Sequence, residues 1–81
     1  MQDLNTLEML YERLGDLNTM ISNYEGEIEY LEELLTTTSG SAQPVIDDLE
    51  KNKARRNELQ SEYSQVLKLI NDEKNKGVQQ V

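Results

Sequence analysis

A chain of 81 residues with an apolar fraction of 36% has room for one small domain and little core, so stability must come from long paired elements or from association. Histidine and cysteine are both absent, which removes the commonest general base, the commonest metal ligands and any disulfide, so no enzyme, metal site or cofactor is expected. The net charge of −8 argues against direct binding to nucleic-acid phosphates, which needs clustered Lys and Arg.

The chain opens Met1-Gln2-Asp3 in place of a basic and then apolar stretch, and no run of about 18 apolar residues could span a bilayer. A cytoplasmic protein with no membrane association is the expectation. From Leu7 the apolar residues then recur at alternating steps of three and four: Leu10, Leu14, Leu17, Ile21, Tyr24, Ile28, Leu31 and Leu35. This unbroken a/d pattern predicts a first helix over about 3–37 with a coiled-coil seam along one side. With Leu7 at a, Gly15 and Gly26 fall at exposed b and f positions, where they weaken the helix and leave the seam intact. The same stretch is strongly acidic, since residues 1–38 hold nine carboxylates against Arg13 alone.

Thr36-Thr37-Thr38-Ser39-Gly40-Ser41-Ala42-Gln43-Pro44 interrupts the pattern with weak helix formers and the one proline. It predicts a loop over about 38–43, a second helix over about 44–76 closed by Gly77, and a tail from 77 to 81. Asp47, Asp48 and Glu50 should favour the positive start of that helix, and Lys74 and Lys76 its negative end.

Stepping from Val45 gives Leu49, Asn52, Arg56, Leu59, Tyr63, Val66, Ile70 and Glu73, a seam that is apolar toward both ends and polar in the middle. One antiparallel register serves it throughout. Leu35 then faces Val45, Leu31 faces Leu49, Ile21 faces Leu59, Leu17 faces Tyr63, Leu14 faces Val66 and Leu10 faces Ile70. The expected fold class is therefore all-α, a two-helix hairpin forming an antiparallel coiled coil, with pairing of two hairpins into a four-helix bundle as a further expectation.

Three groups of residues are candidates for function. The first is a polar register layer of Tyr24, Glu25, Glu27, Asn52, Lys53, Arg55 and Arg56: Glu25 should meet Lys53, Glu27 should meet Arg55, and Arg56 should lie on the Tyr24 ring. The plainer reading, that Asn52 and Arg56 only fix register, is the stronger one. The second is an apolar edge of Leu4, Tyr11, Leu67 and Leu69 near the open end, suited to self-association or to a partner helix. The third is an acidic tip of Glu29, Glu32, Glu33, Asp47, Asp48 and Glu50 around the loop, which suits a basic protein surface or simply solvates the rod.

The segment Ser64-Gln65-Val66-Leu67-Lys68-Leu69-Ile70-Asn71 faintly resembles the signature of the small two-helix aspartyl-phosphate phosphatases of sporulating bacteria. Val66 and Lys68 stand where that motif needs an acidic pair, so the likeness is set aside. The expected function is a self-associating protein-interaction module that serves as a small subunit, scaffold or chaperone-like adaptor. The alternative is an acidic inhibitor that occupies the basic groove of a nucleic-acid-binding protein.

Overall fold

The strict three-four spacing from Leu7 to Leu35 is realised as one uninterrupted helix, α1 (Leu4–Thr37), and the second apolar series as α2 (Gln43–Gln79). In the computed structural model the backbone is described for residues 4–38 and 40–79 and the side chains for 6–38 and 40–76. Asp3, at the expected start of the first helix, and Gln80 and Val81, the end of the expected tail, lie outside the described residues. The two helices fold back on each other as an all-α hairpin 65 × 14 × 13 Å in extent. No helix among the described residues is long and apolar enough to cross a membrane.

Two contacts between the helices identify the register. Arg13 pairs with Glu62, and the Lys74 Nζ lies 5.5 Å from the centre of the Tyr11 ring. In the expected pairing position 67 lies opposite Arg13 and position 69 opposite Tyr11, so one observed partner sits five residues nearer the loop and the other five residues nearer the C-terminus. Long side chains reaching diagonally by equal amounts in opposite directions centre the packing on that register.

The seam residues divide into two groups. Toward the open end Leu17 is fully buried and Leu59, Val66 and Ile70 nearly so, with Leu7, Leu10, Leu14, Met20, Ile21, Tyr24 and Tyr63 packed around them. Toward the loop the buried residues are Ile28, Leu31 and Leu49, flanked by Leu35 and Val45. Between the groups the α2 seam carries Asn52 and Arg56, both half-buried.

α2 begins within one residue of the expected start and runs past the expected end. The helix begins at Gln43, with the Ile46 amide donating to the Ala42 carbonyl at 2.9 Å. Pro44 then lies inside the first turn, where its missing N–H would have had no partner. Asp47 and Asp48 consequently fall in the second turn, beyond the reach of the helix dipole, and the first turn holds no acidic residue. At the other end the helix runs through Gly77 to Gln79. Glycine lowers helix stability by about 1 kcal/mol relative to alanine, but ends a helix only where the chain turns into a left-handed conformation.

The end of α1 explains the threonine run. Thr36 Oγ1 donates to the Glu33 carbonyl at 2.7 Å, Thr37 Oγ1 to the Leu34 carbonyl at 3.1 Å, and Thr38 reaches the same Leu34 oxygen through both its hydroxyl, at 2.7 Å, and its amide, at 3.0 Å. The last turn holds no basic side chain, and these hydroxyls add side-chain donors to carbonyls of that turn, Leu34 among them already accepting the Thr38 amide.

Candidate interaction surfaces

A two-helix rod hides only the narrow stripe between its helices, and everything else on it is available for contact. The described residues enclose no cavity and hold no group of acidic residues arranged for a metal ion. Any site is therefore a surface, and its position follows from the heptad: e positions line one flank of the seam, g positions the other.

The apolar edge expected at the open end is two surfaces. Tyr11 and Leu67 are 46% and 45% exposed and share the e flank, where Lys74, one heptad beyond Leu67, covers the Tyr11 ring. Leu69, 52% exposed, is one heptad beyond Glu62 and so projects with it to the opposite flank, beside Arg13. Residues 67 and 69 lie two apart on a helix and cannot face the same way. The Leu4 side chain lies outside the described residues.

The c and g positions of α1 lie on the flank that carries Leu69. Met9 and Tyr30 at c are exposed, and Met20 and Leu34 at g are half-buried, so the flank that carries Leu69 and the Arg13–Glu62 pair has five apolar side chains spread along its length. The polar residues among them, Asp16, Asn23 and Glu27, are exposed and break the stripe into patches.

The polar layer is built differently from the expectation. Among the described residues the ion pairs are Arg13–Glu62, Arg55–Glu58 at 2.9 Å and Lys76–Glu73 at 3.6 Å. The expected Glu25–Lys53 and Glu27–Arg55 pairs across the seam do not form. Arg55 instead finds an acid one turn along its own helix, where less side-chain freedom is lost. The hydrogen bond to Glu58, and after it the Tyr24 hydroxyl, hold the Arg55 guanidinium above its ordinary pKa. Tyr24 thus has Arg55 as its cationic neighbour, and the ring contact expected between Tyr24 and Arg56 is absent, since the ring–cation pair in the structure is Tyr11–Lys74.

Asn52 Nδ2 donates to the Asp48 carbonyl of its own helix at 2.7 Å, and an Arg56 terminal nitrogen donates to Asn57 Oδ1 at 3.2 Å. The Arg56 Nε is buried without a partner. Neither seam residue hydrogen-bonds to α1.

The acidic tip is present as a set of exposed carboxylates. Glu29, Glu32 and Glu33 on α1 and Asp47, Asp48 and Glu50 on α2 all face solvent, and Asp47 accepts a hydrogen bond from Gln43 Nε2 at 2.9 Å. No protein family matches the chain, and no curated protein or solved structure is significantly similar to it.

Proposed function

We propose that the hairpin is a non-enzymatic assembly module, a small cytoplasmic subunit, scaffold or chaperone-like adaptor that contacts protein surfaces, its own copies among them, through the flanks of its seam. The observation that carries this reading is the pair Tyr11 and Leu67, adjacent on one flank and each nearly half exposed. Burying such side chains contributes about 1.5–3 kcal/mol each, and a symmetric contact counts every residue twice, which offsets the entropy cost of bringing two hairpins together.

The charge of α1 supports a second reading. Its one base, Arg13, is already engaged by Glu62, so the carboxylates of this helix face solvent without a cation of their own helix beside them. Such a surface suits an inhibitor that fills the basic groove of a nucleic-acid-binding protein. The two readings differ in salt dependence, because apolar contact tolerates salt and charge mimicry is screened by it.

Light scattering coupled to size exclusion tests the first reading. The unmodified chain should give the mass of a dimer or larger assembly at high micromolar concentration in both low and high salt, and Tyr11→Glu with Leu67→Glu should give a helical monomer. A monomer in the unmodified chain would exclude self-association by this flank.

A further inference from the structure

We infer that the hairpin opens as two units divided at the Asn52–Arg56 layer, and that the unit next to the loop opens while the unit at the open end stays closed. Three observations lead to this. The buried seam is discontinuous: Leu17, Leu59, Val66 and Ile70 form one group, Ile28, Leu31 and Leu49 another, and no buried side chain joins them. The layer between them is weakly tied across the helices: Arg55 reaches the hydroxyl of Tyr24, a residue of the open-end group, while Asn52 and Arg56 make their hydrogen bonds within α2 and the buried Arg56 Nε makes none. An unsatisfied buried donor costs more than a missing contact, so the layer is the weakest cross-section of the rod.

The two units are also unequal. Seven partly buried apolar residues surround the open-end group and two surround the loop-end group. The side-chain contacts that bridge the helices among the described residues, Arg13 with Glu62, Lys74 with Tyr11 and Arg55 with Tyr24, all engage α1 on the open-end side of Ile28. Near the loop the polar side-chain contacts of residues 33–52 stay within one helix or at its cap, as with Thr36, Thr38, Gln43 and Asn52. The short connection favours closure of the loop-end unit over the open-end unit, but only modestly, because closure entropy grows slowly with loop length. Separate opening of contiguous segments at different free energies is general in proteins. Here the polar layer sets the boundary, and the opened unit presents Ile28, Leu31 and Leu49 with the carboxylates of the tip around them.

This behaviour belongs to the chain alone and needs no partner, so hydrogen exchange of the unmodified full chain tests it apart from any binding. Amides of residues 28–35 and 45–49 should exchange as one group, with protection about tenfold or more below that of residues 14–21 and 59–66. Leu49→Ala should accelerate the first group and leave the second unchanged. Asn52→Leu with Arg56→Leu should join the apolar groups and bring both to a common, higher protection. Equal protection of the two groups in the unmodified chain would overturn the inference, as would equal acceleration of both by Leu49→Ala or an undiminished gap in the Asn52/Arg56 variant.

Discussion

The open-end and loop-end halves of the hairpin use the same two helices and the same register, yet they are held differently. The open-end half has the larger apolar group, the fully buried Leu17 and the α1 partners of the side-chain bridges between the helices. The loop-end half has three buried residues, a chain connection and a helix terminus capped by its own threonines. In a rod only two helices thick, covalent proximity and local capping therefore stand in for core where core is short, and packing must do more where the chain ends are free.

The largest expected effect tests that contrast in packing. Leu17→Ala removes a side chain with no exposure and should cost about 3–5 kcal/mol, whereas Leu49→Ala, 8% exposed in the smaller group, should cost about 2 kcal/mol. Urea denaturation followed by circular dichroism measures both, and a larger loss from Leu49 would invert the comparison. The next effect is a gain. A Cβ added at Gly15 or Gly26 meets nothing within 4 Å, and both lie inside α1, so Gly15→Ala and Gly26→Ala should each stabilise by about 0.5–1 kcal/mol. Hydrogen exchange sharpens the point: Gly15→Ala should slow exchange in the open-end half, and Gly26→Ala in the loop-end half. The smallest effect concerns the Arg13–Glu62 bridge, whose side chains are 48% and 43% exposed. Arg13→Ala should lower stability by at most about 0.5 kcal/mol in low salt and by nothing measurable in high salt, read from the same urea midpoints.

The fold was legible because α1 repeats its apolar spacing without a miss, and because α2, ambiguous alone, becomes intelligible once Leu49, Leu59, Val66 and Ile70 are set opposite α1. The partners of the charged residues were not legible. Arg55 has acids within reach across the seam and along its own helix, and the choice depends on side-chain freedom that spacing does not encode. The flank of Leu69 was legible in principle, since it follows from its heptad position. The role of the threonines was hidden by propensity: threonine is a poor helix former in general, but at the last turn its hydroxyl bonds back to a carbonyl three or four residues earlier.

The length of the rod gives it a hydrodynamic signature. A compact chain of this size would have a radius of gyration of about 12 Å, whereas the hairpin has 18.5 Å. A single hairpin therefore diffuses and elutes like a heavier globular protein, and its frictional ratio reports how copies meet. Side-by-side pairing doubles the mass of a rod 65 Å long while thickening it, which brings the frictional ratio down toward that of a sphere. End-to-end pairing doubles the length and drives the ratio up. Sedimentation velocity thus distinguishes flank contact from tip contact without a mutation or a label.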